Sequence, residues 1–253
     1  MSSTPRVALV TGANKGIGHA VARRLGELGM RVYLGVRDGE RGRTAERDLR
    51  ADGLDARFVR LDVTDEASAL LAAKHIDEES HRLDVLVNNA GVGGSVSAPS
   101  EVSLDEVRRT YETNVFGVIA VTNAMLPLLR RSQAARIVNV SSVLGSLTHA
   151  AARHDPTGVF AEGVFPALLE YNTSKAALNA LTVTYANELR GEGILVNAVS
   201  PGFVATDING HRGHLTPEQG ARVPVLLATL GDDGPTAVFL GEDGSDTGRE
   251  LAW

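Results

Sequence analysis

Seven short apolar runs, rich in β-branched residues, recur along the chain at intervals too long for hairpins. Most of their positions are apolar without alternation, which is typical of strands buried on both faces of a parallel sheet. We therefore predict seven strands. They cover Val7–Val10, Val32–Val36, Arg57–Leu61, Val85–Val87, Arg136–Val140, Leu195–Val199 and Ala237–Leu240.

Stretches with the period of an amphipathic helix separate these runs. Alternation of strands and helices predicts an α/β fold: a doubly wound parallel sheet of Rossmann type, in three α/β/α layers. We expect residues 1–253 to form a single domain, with an irregular insertion at about 145–165. The clearest helix signals are the apolar stripe from Ala20 to Leu28, the capping box of Ser103 and Glu106, the segment Leu169–Arg190 and the helix start at Thr216-Pro217.

Composition and charge narrow the class of protein. The 253 residues carry 25 Lys and Arg against 31 Asp and Glu, a net charge of −6 that disfavours nucleic acid as a partner. The lack of cysteine excludes disulfides and thiolate ligands. The histidines show no metal-binding spacing, so we expect no metal site. No apolar run reaches the roughly 18 residues that span a bilayer, and no signal segment is seen. We expect a cytoplasmic protein that does not bind membranes.

A glycine-rich turn, Thr11–Gly18, follows the first predicted strand and leads into a helix. This order is that of a dinucleotide-binding unit, in which glycines allow a sharp turn, close approach of the pyrophosphate and close packing of the helix on the sheet. A glycine turn made only for packing is the alternative. The nucleotide contacts predicted here are Gly12, Asn14, Lys15, Gly16, Ile17 and Gly18.

The second predicted strand ends at Arg37-Asp38, where a dinucleotide site distinguishes NAD from NADP. The guanidinium of Arg37, with Lys15 as a second positive charge, suits the 2′-phosphate of NADP. Asp38 is either the acidic residue that an NAD site requires or the N-cap of the next helix. On balance these residues favour NADP(H).

Tyr171 and Lys175 are four residues apart and share one face of a predicted helix. An ammonium beside a phenol stabilises the phenolate. We therefore expect Lys175 to lower the pKa of Tyr171, which would then donate a proton to a developing alkoxide. The alternative is an ordinary Tyr–Lys pair on a helix surface.

Three further polar residues lie where an apolar one would be expected. Ser141 and Ser142 end the fifth predicted strand, at the edge of the sheet where α/β proteins bind ligands. A hydroxyl there can hold a carbonyl oxygen, and we favour Ser142 because it lies further beyond the strand. Asn114 is an amide within an apolar helix, which is costly unless its polar atoms are paired. It either holds a water linked to Lys175 or bridges structural elements.

Together these motifs resemble the short-chain dehydrogenase/reductase family, and its carbonyl-reductase branch in particular. The resemblance covers essentially the whole chain and keeps the family's order. Pro201–Asp207, the nearby Thr216–Gly220 and the C-terminal Trp253 are similar to that branch. The matching pieces are Thr11–Gly18, Asp62-Val63, Asn88–Gly91, Asn114, Ser142, Tyr171 with Lys175, and Pro201-Gly202.

The resemblance implies a catalytic tetrad of Asn114, Ser142, Tyr171 and Lys175. Tyr171 would act as the general acid, Ser142 would orient the carbonyl, Lys175 would tune Tyr171 and Asn114 would hold a proton-relay water. NADP(H) would carry the hydride. Asp62 and Val63 would contact the adenine, and Val204 and Thr206 would contact the nicotinamide amide. The full set of further implied cofactor contacts is Arg37, Asp62, Val63, Asn89, Ala90, Gly91, Tyr171, Lys175, Pro201, Gly202, Val204 and Thr206.

The implied function is the NADPH-dependent reduction of a small-molecule ketone or aldehyde to an alcohol. The insertion at about 145–165 would wall the substrate pocket. It would also cover the helical face that related tetramers use, which favours a monomer over the alternative homodimer. The short segment after Thr206 predicts a reduced lid and an open site. A tailoring reductase of a biosynthetic pathway and a non-catalytic NADP(H)-sensing module remain alternative functions.

Overall fold

The computed structural model describes residues 5–156, 158–161 and 163–253. Eight strands among them form one sheet. They are β1 (Val7–Thr11), β2 (Arg31–Val36), β3 (Ala56–Arg60), β4 (Val85–Asn88), β5 (Arg136–Val140), β6 (Leu195–Ser200), β7 (Phe239–Gly241) and β8 (Arg249–Glu250).

The order of the strands is β3-β2-β1-β4-β5-β6-β7-β8, and every neighbouring pair is parallel except β7 and β8. From β1 the chain moves outward through β2 and β3 and then returns to the other side of β1 with β4. Such a reversal opens a crevice at the carboxyl ends of the two central strands, where α/β folds bind ligands.

Helices pack on both faces of the sheet. They are α1 (Gly16–Glu27), α2 (Gly39–Ala51), α3 (Glu66–Ser80), α4 (Leu104–Tyr111), α5 (Gly117–Leu129), α6 (Leu147–Ala152), α7 (Leu169–Leu189), α8 (Pro217–Gly220) and α9 (Arg222–Ala228).

Successive residues of each central strand contribute to two separate apolar layers. In β1, Val10 packs in the layer that contains Leu25 of α1. The preceding Leu9 packs in the opposite layer, with Met125 of α5 and Tyr185 of α7. Because side chains alternate across a strand, burial on both faces requires runs that are apolar at every position. The predicted Rossmann-type fold is therefore confirmed.

Besides shifts of one residue at several strand ends, two details of the sheet differ from the prediction. The last parallel strand begins at Phe239 rather than Ala237. The antiparallel β8 was not predicted, because its two residues, Arg249 and Glu250, are exposed and charged and form no apolar run.

One helical stretch, Leu104–Leu129, has the length and apolar composition of a membrane span. It comprises α4, a π-helical turn at Glu112–Phe116, and α5. Its window of highest hydropathy is 56% buried inside the fold, and Val121 and Met125 pack in the core. These contacts are those of a core helix.

The predicted insertion contains α6 and packs against the C-terminal residue. The backbone N–H and the hydroxyl of Thr148 donate to the main-chain oxygen of Trp253, at 3.1 and 2.8 Å. Phe116 of the π-helical turn and Thr173 and Ala180 of α7 remain exposed. The covering of a helical face by the insertion and the oligomeric state both stay predictions.

Candidate active site

The turn between β1 and α1 packs so closely on the end of β4 that its glycines leave no room for side chains. Gly12 has a φ of +67°, and a Cβ there would lie 3.1 Å from the Cα of Ala90. A Cβ on Gly18 would collide with the side-chain amide of Asn89. That amide donates to the carbonyl of Thr11 at 2.8 Å, which ties β4 to the turn. The tie fixes the backbone of the turn at the N-terminus of α1.

This N-terminus has the chemistry of a phosphate site. Its N-cap, Lys15, has an extended backbone, and the side chain makes no capping hydrogen bond. Gly16, the first helical residue, has a φ of +57°. A helix N-terminus without a side-chain cap offers N–H groups and the positive end of the helix dipole to an anion. The residues present therefore fit the pyrophosphate of a dinucleotide.

The end of β2 presents Arg37 to solvent. Its side chain is 76% exposed, and its Nε lies 3.9 Å from a carboxylate oxygen of Asp62. Asp38 caps α2 by accepting from the N–H of Arg41 at 3.0 Å, a bond that also lowers the pKa of Asp38. Asp38 thus has the N-cap role, and the guanidinium of Arg37 is the group available to a 2′-phosphate.

A segment after β6 crosses from the glycine-rich turn to the loop after β4. Asp207 forms an ion pair with Lys15 and also lies 2.9 Å from Nε2 of His211. The neighbouring Ile208 lies close to the loop after β4, because a Cβ on Gly93 would be 3.1 Å from its Cγ2. The short segment therefore contacts both the glycine-rich turn and the loop after β4, and the predicted openness of the site stays a prediction.

The phenol of Tyr171 in α7 lies beside the side chain of Ser142. Burial raises the pKa of the Tyr171 phenol, and the interaction with Ser142 opposes that rise only in part. The Nζ atom of Lys175 is 5.7 Å from the centre of the Tyr171 ring. The expected lowering of the pKa is therefore wrong, because desolvation outweighs the charge one helical turn away. A raised pKa keeps the phenol protonated at neutral pH, as a proton donor requires.

Lys175 is buried beneath the crevice, with only 5% of its surface exposed. Its ammonium donates to the carbonyl of Val140, the last residue of β5, at 2.8 Å. Burial lowers the pKa of Lys175 to about 8. A Cβ on Gly91 would lie 3.7 Å from Nζ, so the ammonium reaches the turn after β4.

The two serines after β5 have different surroundings. The hydroxyl of Ser141 is buried and donates to the side-chain oxygen of Asn179 at 2.6 Å. That of Ser142 accepts from the N–H of Leu144 at 3.2 Å and lies beside Tyr171. Of the two, Ser142 is the serine placed beside the phenol.

Asn114 is fully buried in the π-helical turn. Its Oδ1 accepts from the N–H of Val92 at 2.9 Å, and its Nδ2 donates to the carbonyl of Val92 and to the hydroxyl of Ser174, both at 3.0 Å. The side chain thus bridges the loop after β4 and α7. Both amide hydrogens are engaged, so a water would have to be held by the remaining lone pair of Oδ1 or by the main chain.

The remaining predicted contacts lie around the same crevice. A Cβ on Gly16 would be 3.4 Å from Cγ2 of Thr206, which places the end of the Pro201–Thr206 segment against the glycine-rich turn. Val204 in this segment is 3% exposed. Asp62 accepts from the N–H of Thr64 at 3.1 Å and from its hydroxyl at 2.8 Å.

Sequence reasoning missed an apolar cluster that touches Tyr171. Phe160 and Phe165 of the insertion pack here with Tyr171 and Trp253 on the core around Phe239. The rings of Trp253 and Phe239 are stacked, with centroids 5.4 Å apart. The aromatic residues of the insertion were the available signal, but periodicity does not reveal which surface they cover.

Two protein-family models match the sequence of this chain. A family model described as short chain dehydrogenase matches residues 6–153, and one described as enoyl-(acyl carrier protein) reductase matches residues 156–247.

Individual proteins match over nearly their full length. Carbonyl reductase [NADPH] 1 of Mus musculus is 36% identical to this chain, over 95% of the chain and 97% of that protein. The structure of salutaridine reductase from Papaver somniferum superposes with a TM-score of 0.80 at 31% identity, over 92% of this chain and 99% of the other. NADPH-bound carbonyl reductase from chicken fatty liver superposes with a TM-score of 0.83 at 29% identity, over 99% and 100% of the two chains.

Proposed function

Because the chain belongs to the short-chain dehydrogenase family, we propose that it is an NADPH-dependent oxidoreductase that reduces the carbonyl of a ketone or an aldehyde to an alcohol. The observation that carries this proposal is the placement of the Tyr171 phenol beside Ser142, with the buried ammonium of Lys175 one helical turn away. These groups lie at the carboxyl end of β5, beside the crevice of a doubly wound sheet.

Each of these side chains has a distinct role in the proposed reaction. The phenol of Tyr171, whose pKa is raised, donates its proton to the oxygen of the carbonyl as that oxygen gains negative charge. The hydroxyl of Ser142 donates a hydrogen bond to the same oxygen and fixes its position. Lys175 holds its ammonium below the site, where it would donate hydrogen bonds to the ribose hydroxyls of the nucleotide. The nicotinamide supplies the hydride when bound.

The substrate that suits this site is an apolar carbonyl compound. Phe160, Phe165 and Trp253 pack on the same apolar core as Tyr171. Ile208 of the crossing segment and Val96 of the loop after β4 are 55% and 86% exposed. Aromatic and aliphatic surfaces bind apolar ligands because binding removes apolar area from water.

The activity is tested by following NADPH oxidation with a panel of ketones, aldehydes and quinones. We expect turnover with aromatic or polycyclic carbonyl compounds. Turnover of one bulky ketone alone indicates a tailoring reductase, and the Papaver relative, a salutaridine reductase, is named for a single substrate. Tight binding of NADPH without turnover of any carbonyl would overturn the proposal in favour of a sensing module.

The preference for NADPH is expected to depend on Arg37. In the variant Arg37→Ala the 2′-phosphate loses a charge-assisted hydrogen bond worth about 1.5–3 kcal/mol, so the affinity for NADPH falls by about ten- to a hundredfold. The affinity for NADH, which lacks this phosphate, stays within about twofold. Quenching of protein fluorescence or calorimetry measures both dissociation constants. Arg47→Ala on α2 is the control, since it removes one positive charge at a position away from the turn. Equal losses of affinity for NADPH and NADH in Arg37→Ala would contradict the assignment of Arg37 to the 2′-phosphate.

The proposal also includes the cellular location and the oligomeric state of the protein. A chain without cysteine is suited to the reducing cytoplasm, where we place it. We favour a monomer, with a homodimer as the alternative, in which a second copy would cover the helical face of the exposed Phe116 and Ala180. Light scattering at several protein concentrations distinguishes the two states.

A further inference from the structure

The residue before Tyr171 is a buried carboxylate. Glu170 is 2% exposed. Its Oε1 accepts a hydrogen bond from the backbone N–H of Ser95, in the loop between β4 and α4. Its Oε2 is buried and has no hydrogen-bond partner among the described residues. Burying a carboxylate with only one of its two oxygens hydrogen-bonded costs free energy, so another interaction must stabilise Glu170 at this position.

Part of the free-energy cost of burying Glu170 is offset by α7 itself. Glu170 lies in the first turn of this helix, whose N-cap, Leu168, makes no side-chain hydrogen bond. A negative charge in the first turn interacts favourably with the helix dipole. This interaction accounts for a charge at that position. It does not account for the bond to Ser95, which lies on a different element.

The loop that Glu170 holds packs directly on the catalytic tyrosine. A Cβ on Gly94 would lie 2.9 Å from the Cβ of Tyr171 and 3.2 Å from the carboxyl carbon of Glu170. Only a glycine therefore permits this approach. Any displacement of the loop at Gly94 changes the surface against which the Tyr171 side chain rests.

The same loop is held at its other end by Asn114, which bonds both backbone groups of Val92 and the hydroxyl of Ser174. Ser174 and Glu170 are both on α7, on either side of Tyr171. The loop segment Val92–Ser95 is thus attached to α7 through Asn114 at one end and directly through Glu170 at the other. We call this pair of attachments the two-point clamp.

We propose that Glu170 is a positioning residue, which uses the two-point clamp to hold Tyr171 in line with Ser142 and the carbonyl oxygen. This inference rests on the proposed function, since it assigns a role in the same reaction. Glu170 touches no reacting atom. It acts by holding the loop backbone against Tyr171, and a displacement of about 1 Å in a catalytic group can cost up to about a hundredfold in rate.

The test compares Glu170→Ala with Glu170→Gln. The alanine variant loses the acceptor for the N–H of Ser95, and we expect kcat for carbonyl reduction to fall by about tenfold or more, with the dissociation constant for NADPH unchanged. The glutamine variant keeps an acceptor oxygen at the position of Oε1, so its kcat should stay within about threefold of the wild type. Glu188→Ala, which removes an exposed carboxylate from the same helix, is the control and should be unchanged.

A second measurement does not depend on activity. Hydrogen exchange followed by mass spectrometry should show faster exchange at residues 92–97 in Glu170→Ala and wild-type exchange in Glu170→Gln. If Glu170→Ala does not fold, Gly94→Ala takes its place, because its Cβ pushes the same loop away from Tyr171. It should lower kcat similarly and leave the affinity for NADPH unchanged.

Three results would overturn the positioning role: unchanged kcat and exchange in Glu170→Ala, a loss in Glu170→Gln as large as in Glu170→Ala, or unchanged kcat in Gly94→Ala. Failure of the proposed function would give a different experimental result. In that case the wild type itself turns over no carbonyl, and the exchange of residues 92–97 still decides whether Glu170 holds the loop.

Discussion

Tyr171→Phe lowers the turnover number for carbonyl reduction by about a thousandfold, the largest effect we expect of any single substitution. Removing the hydroxyl leaves the developing alkoxide without its proton donor, while the ring keeps its packing on the apolar core around Phe239. The fold and the binding of NADPH should therefore be preserved. Steady-state kinetics with a good carbonyl substrate and a binding titration with NADPH measure the two quantities separately.

Tyr185→Phe is the matched control for this substitution. Tyr185 lies on the same helix and is 9% exposed, but its hydroxyl donates to the side-chain oxygen of Asn123 at 2.8 Å, away from Ser142. We expect it to lose about 1 kcal/mol of unfolding free energy and to keep wild-type turnover. Retention of a tenth or more of the turnover in Tyr171→Phe would refute the role of its phenol.

Features that depend on local spacing could be predicted from the sequence. The continuous apolar runs identified the parallel strands, since burial on two faces requires them. The glycine-rich turn and the interval between Tyr171 and Lys175 located the crevice, because both are positioned by the strand or helix that carries them. The capping box at Ser103 and Glu106 also forms as predicted.

Features that depend on tertiary packing could not be predicted in this way. Lys15 and Asp207 form an ion pair across 192 residues of sequence, and no local pattern links them. The buried position of Glu170 depends on a loop from another part of the chain. The sign of the Tyr171 pKa shift was wrong for the same reason: helical spacing reveals a neighbouring charge but not the burial that outweighs it.

Lys175→Met is expected to give the second large loss, about a hundredfold or more in kcat/KM with NADPH as the varied substrate. The substitution removes the ammonium that would hold the ribose, while a methionine of similar length fills the buried space. In the wild type the same parameter should fall as the pH rises through about 8, because Lys175 then loses its charge. Tyr171, with its raised pKa, remains protonated throughout that range. The residual activity of Lys175→Met should therefore show no such fall.

The pKa of Lys175 also predicts how stability depends on pH. Because burial lowers it from 10.5 to about 8, the unfolded chain binds more protons than the folded one between these two values. The free energy of unfolding therefore gains a contribution as the pH rises through this window, and loses it as the pH falls through about 8. From pH 7 to pH 10 this contribution amounts to about 2 kcal/mol.

Urea unfolding of wild type and Lys175→Met at pH 7 and pH 10 isolates this contribution. The lost hydrogen bond to Val140 affects both pH values alike, so it cancels in the comparison. Relative to the wild type, the methionine variant should be more stable at pH 7 than at pH 10 by about 2 kcal/mol. Lys74→Met, at a side chain that is 71% exposed, should show no such dependence. If wild type and Lys175→Met differed by the same free energy of unfolding at both pH values, burial would not lower the pKa of Lys175. The buried position of its ammonium near Tyr171 would then be wrong.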